Sequence, residues 1–173
     1  MKSRFAPAMA ALLLLALSLP ARSLAGMASD KMLAVGERAP SFNFTDVATG
    51  GVVPSDTIAR GRPLLLVFLQ TACQSCYREM MTLKAAKAES PDLEVLGIFL
   101  DMKAKDFQKY ISENGLPFTF GWDSGYSIAD TYGVSFTPAS FLLDADRNVA
   151  AVYRGFHPGI EQALKADIAK LAN

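Results

Sequence analysis

The stretch RPLLLVFLQTACQSCYRE, Arg62–Glu79, joins an unbroken apolar run to the only two cysteines of a 173-residue chain. Leu64 to Leu69 is apolar at every position, the pattern of a strand buried on both faces of a sheet. Gln70, Thr71 and Ala72 form a short loop, and from Cys73 to Glu89 the spacing predicts a helix that Pro91 stops. The cysteines therefore stand at the start of a helix that follows a buried strand. A helix N-terminus offers unpaired N–H groups and the positive end of the macrodipole, and both favour a thiolate. In such settings a thiol falls from about 8.5 to between about 3.5 and 7.5. Cys73 is thus the expected nucleophile. Cys76, one turn further in, is the expected resolving thiol of a disulfide-exchange cycle.

Outward from this stretch, strands and helices alternate as in an α/β fold. SFNFTDVATGGVVPSDTI predicts a hairpin turning at Thr49-Gly50-Gly51, and LEVLGIFLD a second buried strand. KAKDFQKYISENG predicts an amphipathic helix with Phe107, Tyr110 and Ile111 on one side, ended by Gly115. FTFGWD reads as a short strand and Ser127 to Tyr132 as a short helix. A second hairpin turns at Asp146-Arg147-Asn148, and a last helix begins at Pro158. No repeat or linker divides the chain.

The first 25 residues read as an export signal: Lys2 and Arg4, an apolar run from Ala8 to Leu19, then Pro20 and the small residues of Ser23-Leu24-Ala25. Gly26-Met27-Ala28 offers a second cleavage point. The run is 12 residues long, short of the about 20 that cross a bilayer. No stable membrane insertion is expected after cleavage. Residues 26–173 then form one domain, expected to be a monomer, with 14 basic against 17 acidic side chains. That balance excludes nucleic acid as an expected partner. In an exported protein two cysteines usually pair. A bridge closing so small a loop stabilises little by chain entropy, which favours chemistry over stapling.

Glu79 lies three residues beyond Cys76 on the same helical face. Two readings fit its position: a proton partner of the resolving thiol, or a first-turn glutamate favoured by the dipole.

LLLVFLQTACQSCYRE, followed by LPFTFGWDSGYSIADTYGVSFTPASFLLDADRNVAAVYRG, resembles the TlpA/ResA-type branch of the thioredoxin-like proteins, with redoxin and AhpC/TSA relatives. The likeness spans roughly Val35 to Leu171. It implies a thioredoxin-like α/β fold: a central mixed sheet flanked by helices, an N-terminal β-hairpin extension and a central βα insertion. It also implies a periplasmic or otherwise exported thiol-disulfide oxidoreductase that needs no cofactor. Its partners would be protein thiols and disulfides together with a membrane redox partner. From TPASFLLD the resemblance carries over Pro138 as a cis-proline and Thr137 as its substrate-contacting neighbour; it also carries over Glu79 as the family's acid. The chain departs from the family at Ala72, where Trp is usual, and at Ser75, where Pro is usual. Met80 and Met81 occupy a region that commonly holds a proline, and Val67 stands where thioredoxins place a buried acid. Glu79 is then the one acid in reach by sequence. The Gln74-Ser75 pair tunes the potential, and family likeness alone favours a reductant.

Two other readings stand beside this one. LEVLGIFLDMKAKDFQKYISENGLPF also resembles peroxiredoxin-like chains with antioxidant activity, but their Pro-x-x-x-Thr/Ser-x-x-Cys loop would need matches at Leu66 and Gln70, or at Leu69 and Cys73. A copper-binding or copper-delivery module would add His157, the sole histidine, to the two sulfurs. Asp101 and Asp123 at strand ends, and Trp122, read equally as structural residues.

Overall fold

The computed structural model describes residues 31–103 and 106–171. The expected signal peptide, residues 1–25, lies outside them. Among the described residues no helix is long and apolar enough to cross a membrane.

Seven strands, β1 (Asn43–Asp46), β2 (Val52–Pro54), β3 (Leu64–Leu69), β4 (Glu94–Phe99), β5 (Thr119–Trp122), β6 (Ala139–Leu143) and β7 (Val149–Arg154), form one mixed sheet in the order β2-β1-β5-β4-β3-β6-β7. The unbroken run of the opening stretch is β3, Leu64–Leu69, with all six residues buried. It pairs in parallel with β4, Glu94–Phe99, and antiparallel with β6, Ala139–Leu143. Because side chains alternate across a strand, β3 feeds two cores. Leu64, Leu66 and Phe68 enter one, while Leu65, Val67 and Leu69 enter the other. This two-sided burial is the physical reason the run contains no polar residue.

The second core is roofed by three helices. These are α1, Gln74–Glu89, then α2, Phe107–Asn114, and α4, Ile160–Leu171. They contribute Cys76, Met80 and Leu83, then Phe107, then Ile160 and Leu164. The first core is closed by α3, Ser127–Thr131, and by the segment carrying Met32 and Ala39. The expected hairpin extension is β1, Asn43–Asp46, with β2, Val52–Pro54. It attaches antiparallel to β5, Thr119–Trp122. Between the β3-α1-β4 half and the β6-β7-α4 half, the chain inserts α2, β5 and α3.

Local signals set most boundaries. Gly115 ends α2 in the left-handed conformation, φ 54°, which glycine adopts without a Cβ penalty. The turn from β6 into β7, Val149–Arg154, is held by Asp144, whose Oδ1 accepts from the N–H groups of Asp146 and Asn148 at 2.9 and 2.8 Å. The last helix differs from expectation. Pro158 and Gly159 form a turn, and α4 begins at Ile160.

Candidate functional site

Cys73 is the N-cap of α1. Its backbone is extended, and its Sγ accepts the Cys76 N–H at 3.1 Å. The two cysteines form a disulfide, so the pair is in its oxidised state. Cys73 is half-buried and Cys76 is fully buried. A sulfur placed as the helix cap takes the position that a Ser or Asp oxygen takes in other helices, and it meets the same unpaired N–H groups. Ser75 Oγ lies 3.3 Å from Cys73 Sγ.

The Thr137-Pro138 peptide is cis, the geometry implied for Pro138 by the family resemblance. It brings the Thr137 carbonyl oxygen to 3.9 Å from Cys73 Sγ. The two cysteines, Thr137 and Pro138 are thus assembled at one end of β3 and β6. Two further ties hold this end together. Thr137 Oγ1 donates to Gln70 Oε1 at 3.0 Å. Asp101, just beyond β4, accepts from Thr71 N at 3.1 Å and from Thr71 Oγ1 at 2.7 Å. Its own carbonyl accepts from Trp122 Nε1 at 2.8 Å. Asp101 is therefore a second acid bound into the redox loop, beside the one expected from sequence. Asp123, by contrast, caps α3 by accepting from Ile128 N and Ala129 N.

Glu79 is 1% exposed, so it is not a solvated first-turn glutamate. Its carboxylate accepts a hydrogen bond from Ser140 Oγ, itself 0% exposed, on β6. Burial pushes the Glu79 carboxyl up to about 7, and the Ser140 bond holds it back from rising further. Sequence reasoning missed Ser140. Its only signal is a lone hydroxyl in the apolar run ASFLL. The antiparallel register sets Ser140 opposite Val67, the strand position that lacks an acid. The buried carboxyl thus reaches this part of the core from the helix rather than from the strand.

His157 is exposed at the turn before α4. Among the described residues, no group of three or more His, Cys, Asp or Glu side chains comes together, so His157 does not join the two sulfurs. Two cavities of about 390 and 480 Å³ lie against Asp46, Val47 and Gln108, and neither is lined by a cysteine.

The AhpC/TSA family profile matches residues 35–152. The chain is 31% identical over 127 residues to the thiol-disulfide oxidoreductase ResA of Bacillus thuringiensis, covering 72% of each protein. It is also similar to the crystal structure of a candidate thiol:disulfide interchange protein DsbE from Chlorobium tepidum. That likeness has a TM-score of 0.74 at 26% identity, over 82% of this chain and 99% of that one. The thioredoxin domain of a Bacteroides vulgatus thiol-disulfide oxidoreductase shares the fold, with a TM-score of 0.68 at 18% identity, over 79% and 99% of the two chains.

Proposed function

Because this chain belongs to the AhpC/TSA family, in its TlpA/ResA-type thioredoxin-like branch, we propose that it is an exported thiol-disulfide oxidoreductase that reduces disulfides in other proteins through Cys73 and Cys76. The observation that carries this reading is the placement of the pair. Cys73 caps α1 at the surface, Cys76 is buried beneath it, and Thr137 abuts the outer sulfur.

In the reduced enzyme the Cys73 thiolate attacks one sulfur of a substrate disulfide. The other substrate sulfur leaves as a thiolate and takes up a proton. Cys76 then gives its proton to the Glu79 carboxylate and attacks Cys73 Sγ, releasing the second substrate thiol. Two electrons pass to the substrate, and the enzyme is left with the Cys73–Cys76 bridge. A carboxyl near 7 is matched to that proton transfer. Thr137 and Pro138 form the wall against which the substrate lies. Phe136, next to Thr137, and Tyr77, next to Cys76, are 44% and 38% exposed and supply apolar contact for a protein partner. A membrane redox partner would return electrons to the pair. Export by the segment 1–25 predicts a mature N-terminus at Gly26 or Ser29, read by sequencing the secreted protein.

Two variants test the mechanism. Cys73→Ala should abolish exchange, and Cys76→Ala should accumulate a mixed disulfide with substrate, visible on a non-reducing gel. Full activity in Cys73→Ala would sink the mechanism. The direction of flow is read from the equilibrium potential of the pair in glutathione buffers. A value near or below about −230 mV fits a reductant, and one near about −120 mV fits an oxidant.

A further inference from the structure

Gln70 ends the strand side of the redox loop, and it touches both halves of the site. Its carbonyl accepts from Cys73 N at 3.3 Å. Its side-chain oxygen accepts the Thr137 hydroxyl at 3.0 Å. Thr137 in turn packs against Cys73, with its carbonyl oxygen 3.9 Å from Sγ. A threonine hydroxyl beside a redox sulfur is a potential third donor to the thiolate, after the Cys76 N–H and Ser75 Oγ. Here that hydroxyl is already committed, and it points to the amide.

We propose that Gln70 is a positioning residue that tunes the potential of this redox pair towards the reducing side, because its side-chain oxygen holds the Thr137 hydroxyl away from Cys73. The inference rests on the exchange function proposed above. A hydrogen bond to a thiolate is charge-assisted, and roughly twice as strong as a neutral one. It acts only in the reduced state, since the bridged sulfur carries no charge. Granting it would therefore stabilise the reduced form, lower the Cys73 pKa and make the pair more oxidising. Withholding it does the reverse. The Thr137 carbonyl, which also faces Cys73 Sγ, does not supply the missing bond, since it has no proton to give.

The test uses the mature protein and two readouts, the Cys73 pKa from the pH dependence of iodoacetamide alkylation and the equilibrium constant with glutathione. Gln70→Met removes the acceptor while keeping the length of the side chain. It should shift the equilibrium about tenfold towards the reduced form, which is ~30 mV for this two-electron couple, and lower the Cys73 pKa by about one unit. Adding Thr137→Val should return both values to wild type. Gln70→Glu keeps an acceptor for the hydroxyl and should produce no oxidising shift. Circular dichroism checks the fold of each variant, and Gln70→Ala repeats the test if Gln70→Met does not fold. Unchanged values in Gln70→Met overturn the proposal, as does a shift that survives Thr137→Val. A wild-type pair that neither titrates reversibly nor exchanges disulfides overturns the proposed function itself. A wild-type pair that does both, beside an unmoved Gln70→Met, overturns the role of Gln70 alone.

Discussion

Glu79 and Ser140 form a buried polar contact between α1 and β6, with both residues at 1% exposure or less. Desolvation disfavours the carboxylate, so the folded state holds the proton up to about pH 7, against 4.5 for the unfolded group. The folded chain binds more protons than the unfolded chain between these values. The contribution of Glu79 to stability is therefore fully present below about pH 4.5 and is lost as pH rises through 7, by on the order of 3 kcal/mol in total. Glu79→Gln removes the titration. Its stability, measured by urea unfolding from pH 4.5 to 8, should lose this slope and exceed wild type at pH 8. Its exchange rate should lose the inflection near 7, and an unchanged pH profile would leave Glu79 a packing residue. Tyr153 faces the same carboxyl from β7 and bonds Asp167 at 2.9 Å; its own proton is held well above the usual tyrosine range, so it stays neutral throughout this window. At this scale the sequence exposed what is local. The cysteine spacing and the helix start could be read directly, and the family resemblance supplied the Thr137-Pro138 pair. Ser140 and the Gln70–Thr137 bond could not, because their partners lie 61 and 67 residues away, and only the sheet register brings them together.

The elements were more legible than the contacts between them. A run of six apolar residues between Pro63 and a polar loop has the length of a strand covered on both faces, and β3 takes it from Leu64 to Leu69. The start of α4 was misplaced because Pro158 fits a first helical turn as well as the turn before it, and local chemistry does not separate the two. Pairing order was not readable at all. It creates a row across the sheet, Tyr153, Ser140, Val67, Gly97 and Phe120, each opposite the next. Gly97 belongs to that row for a packing reason. A Cβ there would stand 2.6 Å from Phe120 Cδ1 and Cε1 and 3.3 Å from Leu69 Cδ2. The Phe120 ring is itself stacked on Phe99, 5.2 Å between centroids, and Phe99 is stacked on Phe107 of α2 at 4.3 Å. Neither ring has room to retreat. Gly97→Ala should lower stability by about 1–3 kcal/mol, read as a reduced urea midpoint with unchanged slope. The redox potential should stay at its wild-type value, because the strain falls under α2 rather than at Cys73.

Across the whole molecule, redox state and folding are linked by one thermodynamic cycle. Whatever the folded protein does to the potential of Cys73 and Cys76, relative to the unfolded chain, must reappear as a difference in stability between the oxidised and reduced forms. The conversion is about 1.4 kcal/mol for each 30 mV. The fold acts differently on the two sulfurs. Reduction leaves Cys76 as a free thiol at 0% exposure in an apolar core, where a thiolate would carry a large desolvation penalty. The Cys73 thiolate receives the Cys76 N–H and Ser75 but, with Thr137 held by Gln70, no third donor. The cap position at α1 also favours the Cys73 thiolate. The reducing direction proposed above predicts that the oxidised protein is the more stable form. Its melting temperature at pH 7 should exceed that of the reduced protein, by about 2–4 °C for each kcal/mol in a domain of this size. Calorimetry with and without dithiothreitol measures this directly. A higher melting temperature in the reduced form would mean that the helix cap dominates, and the protein would then be built to introduce disulfides rather than to remove them.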